Sequence, residues 1–182
     1  MNRRTVFRRL AAATAAAWIL PSCVSDPKKV SIALNNLEVS GDDEELLGDI
    51  ADVIIPATDT PGARDVQAHL FTFVMVDDCL DKTERAKYIK GMRRFQDDLQ
   101  AVSGKSFSEA SPEERQQMLR TFEERKDDLS EEAKIFYTRS RQYILQGYLS
   151  SRHFLTDVKP YKLVPGPVFN GCIPVGESKS IS

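Results

Sequence analysis

Apolar residues recur every three or four positions through most of the chain, and five stretches read as amphipathic helices. Leu46, Leu47, Ile50, Val53 and Ile54 share one helical face. That helix opens on the acidic run of residues 40–45 and must stop near Ile55, because Pro56 disfavours a helical residue before it. A second helix is predicted over residues 65–80, with Val66, Leu70, Phe73 and Val74 on one face and Phe71 and Met75 broadening it. The third carries Tyr88, Ile89, Met92, Phe95, Leu99 and Val102, with Thr83 placed to cap it and Gly104 to end it. Ser111, Pro112 and Glu114 open a fourth, whose stripe is Met118, Leu119 and Phe122. A fifth runs from about Ser130 to Leu149 and turns Ile135, Phe136, Ile144, Leu145 and Tyr148 inward.

No strand alternation and no internal repeat competes with this pattern. Two prolines, a glycine and three hydroxyl or carboxylate side chains make residues 56–62 the densest loop signal. From Ser150 onward, Pro160, Pro165, Pro167 and Pro174, with Gly166, Gly171 and Gly176, predict an irregular surface arm. The expected fold is all-α, a compact bundle of about five helices with a Pro/Gly-rich C-terminal arm.

The first residues do not fit that bundle. Arg3, Arg4, Arg8 and Arg9 precede an uncharged, alanine-rich run over residues 10–20. The run is too short for a transmembrane helix, which needs about 20 residues, and it matches the apolar region of an export signal. Its weak hydrophobicity beside Arg3-Arg4, followed by Thr5, Val6 and Phe7, is the twin-arginine pattern. Leu20-Pro21-Ser22-Cys23 resembles a lipobox, which would make Cys23 a lipidated mature N-terminus; cleavage after Ser25 is the alternative. The expected organisation is a leader over residues 1–23, a tether with a short ordered piece over 24–41, and a helical domain over 42–182. The expected location is the periplasm, at the membrane surface.

Charge narrows the partners. The 182 residues carry 25 basic and 27 acidic side chains; without the leader's four arginines the net charge moves from −2 to −6. An acidic body does not suit nucleic acid. Beyond Cys23, Cys79 and Cys172 could pair with each other and pin the arm to the helices, pair with a partner chain, or stay as free thiols.

Catalytic motifs are missing. The chain has no Gly-rich phosphate loop, no nucleophile elbow, no C-x-x-C and no H-E-x-x-H. His69 and His153 stand at no metal-ligand spacing, so His69 reads as a packed or surface residue and His153 as a solvated one. Asp77, Asp78 and Asp81 lack the pattern of a calcium loop. They read as solvated acids, as do the pairs at 97–98 and 127–128. No cofactor or metal is expected on this chain.

Residues 54–63, Ile-Ile-Pro-Ala-Thr-Asp-Thr-Pro-Gly-Ala, resemble the signature of the gluconate 2-dehydrogenase subunit 3 family. The feature order also agrees, through Ser106-Phe107, residues 147–151 (Gly-Tyr-Leu-Ser-Ser) and Pro165-Gly166-Pro167. At 147–152 the family commonly reads Gly-Tyr-Phe-Thr-Ser-Glu, and here Leu149, Ser150 and Arg152 depart from it. The likeness covers about residues 42–175. It implies a cofactor-free small subunit that supports folding, twin-arginine export and assembly of an FAD-containing large subunit of the glucose-methanol-choline type. A multihaem cytochrome c is a further partner of such complexes. The resemblance implies contact through Pro56, Thr58, Asp59, Thr60, Pro61 and Tyr148, and through Pro165 and Gly166 of the arm. Two other readings stand beside it. One is a stand-alone envelope lipoprotein that acts as a scaffold. The other is an enzyme whose pocket gathers His69, His153 and the acids.

Overall fold

The computed structural model describes residues 29–125 and 128–159. Arg3, Arg4, Cys23, Cys172, Pro165 and Gly166, with the rest of the leader and the arm from residue 160, lie outside the described residues. Five helices make up the body: α1 (Gly41–Ile54), α2 (Ala68–Cys79), α3 (Lys82–Ser103), α4 (Pro112–Glu124) and α5 (Glu131–Leu149). Among the described residues there is no strand, only an isolated antiparallel bridge between Lys29 and Ser40. The fold is all-α.

Local chemistry sets most of the boundaries. Ser40 and Asp43 form a reciprocal capping box at the start of α1, and Ser111 and Glu114 form another at α4, with Pro112 at the first helical position. Ser130 caps α5, and Gly104 ends α3 at φ 75°. Two starts differ from the sequence reading. Asp81, not Thr83, caps α3 by accepting from the Glu84 N–H, so the helix begins earlier. α2 begins at Ala68 rather than at residue 65, because Gln67 takes a left-handed φ of 59° and interrupts the helical path.

The core runs between α3 and α5, the two longest helices, which share the most extensive interface. Phe95 sits at its centre. Its ring lies 4.9 Å from Phe122, 5.3 Å from Phe136 and 5.8 Å from Tyr137, measured between centroids. Tyr88 is fully buried, and its hydroxyl meets Ser140 Oγ at 2.7 Å. Leu46, Leu47 and Ile50 close the core from α1, and Phe73 and Val76 close it from α2.

Side-chain direction departs from the sequence reading at two places. Val74 and Leu145 are exposed, not inward. α2 is apolar nearly all round, so its sequence has no periodicity to choose a face, and Phe73 and Val76 take the inside. On α5, Ala133, Tyr137, Ser140 and Gly147 occupy buried positions that a search for large aliphatic residues passes over.

Several acids are not solvated. Asp77 is buried and accepts from the backbone N–H groups of Asn35 (2.8 Å) and Asn36 (2.7 Å). Asp98 accepts from Ser130 N (3.1 Å) and Oγ (2.7 Å), tying α3 to the start of α5. Residues 29–40 are therefore laid along the helices, with Leu37 buried and Ser31 bonded to Glu44 through N and Oγ. The tail also holds structure past Ser150, since Phe154–Val158 form a π-helical turn.

Candidate functional site

The loop between α1 and α2 is built from its own backbone. Ala63 N–H donates to Ile55 C=O at 2.9 Å and closes the base, while Thr58 N–H donates to Thr60 C=O at 3.0 Å near the tip. Gly62 is buried where the strands of the loop meet. A Cβ there would lie 2.6 Å from Ala57 N and 2.8 Å from Ile55 O, so this turn admits only glycine. Gly62 N–H is taken up by Asp65 Oδ2 at 2.9 Å, and Ala63 is fully buried beneath it. Pro56, Ala57, Thr58, Asp59, Thr60 and Pro61 are all exposed. The result is an ordered projection, closed at the neck and open to solvent along its length.

Two of the places singled out in the sequence come together here. Tyr148, near the end of α5, donates its hydroxyl to the Pro61 carbonyl at 3.3 Å. Its ring lies 6.0 Å from Phe154 of the π-helical turn, and Gly147 beside it is buried against Ala68 and Phe71 of α2. Thus Pro56, Thr58, Asp59, Thr60, Pro61 and Tyr148 form one surface. Cys79 is exposed at the far end of α2.

Beneath the loop lies a charge cluster that the motif search missed. Arg64 reaches Glu45 Oε1 (2.8 Å), Asp49 Oδ1 (2.9 Å) and Asp52 Oδ2 (3.3 Å). These carboxylates hold its guanidinium charged well above the ordinary arginine range, with the Glu45 hydrogen bond the leading cause. Asp49 is nearly fully buried, and a second guanidinium, Arg115 of α4, stands 2.8 Å from its Oδ2. Burial pushes the Asp49 carboxyl above the usual carboxylate range, against the pull of Arg115 and Arg64. The signal was present in the sequence: Glu45, Asp49 and Asp52 are spaced four and three apart, one stripe on a helix. Arg115 comes from a separate helix, and no spacing could have supplied it.

A cleft of about 260 Å³ opens between this loop and the start of α4, lined by Asp49, Asp52, Pro56, Pro112, Glu113 and Arg115 among others. Neither histidine lines it. His69 is buried on α2 with Nδ1 unpartnered, and burial holds its pKa below the usual imidazole value. His153 is largely covered rather than solvated, with Nδ1 3.0 Å from Asp157 Oδ2. Among the described residues, no group of three His, Cys, Asp or Glu side chains could hold a metal ion. No helix among them is long and apolar enough to cross a membrane.

Comparison with known proteins supplies the last element. No curated protein and no solved structure matches the chain. The model of one family, gluconate 2-dehydrogenase subunit 3, matches residues 41–166, from the first residue of α1 to beyond the π-helical turn. That stretch is more than half of the chain and contains the closed loop, Tyr148 and the Arg64 cluster, so the chain belongs to the gluconate 2-dehydrogenase subunit 3 family.

Proposed function

We propose that this chain is the non-catalytic small subunit of a membrane-associated, FAD-dependent dehydrogenase of the periplasm. In this reading the chemistry belongs to a large flavoprotein of the glucose-methanol-choline type, with a multihaem cytochrome c as electron acceptor. The small subunit assists folding and assembly of the flavoprotein. A flavoprotein must fold around FAD before export, and the twin-arginine route accepts folded cargo. Arg3 and Arg4 on the small subunit would then carry an unlabelled large subunit across with it, and Cys23 would hold the complex to the membrane.

One observation carries the reading: residues 56–61 are exposed yet held by the Gly62 neck, the Tyr148 hydroxyl and the Arg64 cluster. A loop ordered before docking loses little conformational entropy on binding. The arm with Pro165 and Gly166 extends the same surface in this proposal.

The test is a tagged pull-down from membranes, read by absorption. Flavin bands and a much larger co-purifying chain are expected, and a colourless, solitary protein would favour the stand-alone lipoprotein. Replacing Asp59 and Thr60 by Ala is expected to weaken the complex without changing the small subunit's thermal unfolding. Deleting residues 1–23 is expected to abolish export of the flavoprotein, and unchanged export would remove the carrier role.

A further inference from the structure

The cleft beside Pro56 has a chemistry of its own. Asp49, Asp52 and Glu113 set three carboxylates in its lining, against the single guanidinium of Arg115. Arg115 is already engaged on every side. Its Nε donates to Phe107 C=O at 3.0 Å, its Nη2 donates to Ser108 C=O at 2.8 Å, and its carbon stands 5.8 Å from the Phe107 ring centre. Asp49 is only 1 % exposed, and its Oδ2, though ion-paired with Arg115, accepts no aligned hydrogen bond. A buried carboxylate oxygen without a hydrogen bond is costly to leave so. Burial already disfavours its charged form, and a further cation would relieve that.

From this geometry we infer that the cleft is a seat for one basic side chain, an arginine or lysine, projecting from the flavoprotein partner. The walls suit the stem of such a side chain. Val53, Pro56 and Pro112 offer apolar surface for its methylenes, while Asp52 and Glu113 at the mouth face its charged head. The volume suffices, since an engineered cavity of about 150 Å³ already holds a benzene molecule and this one measures about 260 Å³. Pro56 belongs both to the cleft and to the exposed loop, so a side chain seated here lies at the foot of the proposed contact surface. The inference rests on the accessory-subunit reading and adds to it the chemistry of one contact.

The experiment uses the full chain and the flavoprotein isolated with it, with affinity measured across a series of NaCl concentrations. The double variant Asp52→Asn, Glu113→Gln removes two charges from the mouth and leaves the Arg64 contacts to Glu45 and Asp49 in place. It is expected to bind at least tenfold more weakly, with a flatter salt dependence and an unchanged circular dichroism spectrum. Glu124→Gln, an exposed acid at the other end of α4, is the control and is expected to leave affinity as it was. Wild-type affinity in the double variant would overturn the seat while leaving the subunit reading intact. Equal weakening by Glu124→Gln would also overturn it, since that is general charge attraction. A wild-type bait that captures no flavin-bearing chain overturns both.

Discussion

His69 shows what the interior asks of one side chain. It is buried, its Nδ1 has no partner, and its surroundings mix Glu44, Glu45 and Asp52 of α1 with the Arg64 cation. Burial dominates and lowers its pKa from 6.5. The unfolded chain therefore takes up a proton near pH 6.5 that the folded chain resists, so folding stability is present above that pH and is lost as pH falls below it. Chemical unfolding at pH 7.5, 6.5 and 5.5 is expected to show a declining stability. In His69→Gln the decline should be shallower, whatever the variant's absolute stability. Single residues were also where sequence reading failed most. Asp77, Asp98 and His153 looked like solvated positions because nothing near them in sequence marks a partner. Their partners are Asn35 and Asn36, Ser130, and the π-helical turn, and only folding supplies those.

Helices were more legible, because their ends are decided locally. The Ser111 and Ser130 caps, the Pro112 start and the Gly104 stop depend on a few adjacent residues. Helix faces were legible in proportion to their contrast. α4, with its polar background, showed Met118, Leu119 and Phe122 plainly, whereas α2 has no polar side to mark what is outside. Packing between helices was hidden, and Gly91 is the clearest case. A Cβ at Gly91 of α3 would sit 2.3 Å from the Glu132 carbonyl and 2.9 Å from Phe136 Cβ. The α3–α5 crossing is close because this residue has no side chain. Gly91→Ala is expected to destabilise the protein by about 1–3 kcal/mol, the usual cost of overpacking, although alanine favours helix in isolation. Urea denaturation measures the sign, and a more stable variant would refute the close crossing.

Across the molecule, the loop over 56–62 was legible and the cluster beneath it was not. Proline, glycine and the short polar residues announce a turn by themselves. The Asp49 pair with Arg115 joins positions far apart in sequence, on helices with no marked spacing between them. The segment over 29–40 belongs to this scale too. It is fixed to the start of α1 at Ser31 and to the end of α2 at Asn35 and Asn36, and so links two helices that the sequence separates by the loop. Asp77→Ala removes a charged acceptor from two backbone N–H groups at once. A loss of about 2–3 kcal/mol is expected, with early amide exchange at Asn35 and Asn36. If those two amides stayed as protected as in the wild type, Asp77 would not be what holds the segment.

That fastening also sets a length. Ser31 is the first point at which the chain is gripped by side-chain bonds to the body, through Glu44. Were Cys23 the lipid-bearing residue, eight peptide units would separate bilayer from body, and a fully extended chain covers about 3.5 Å per unit. The helical domain would then ride within about 28 Å of the headgroups. A partner gripped by its loop would share that confinement and meet its electron acceptor by moving along the membrane plane rather than through the volume of the compartment.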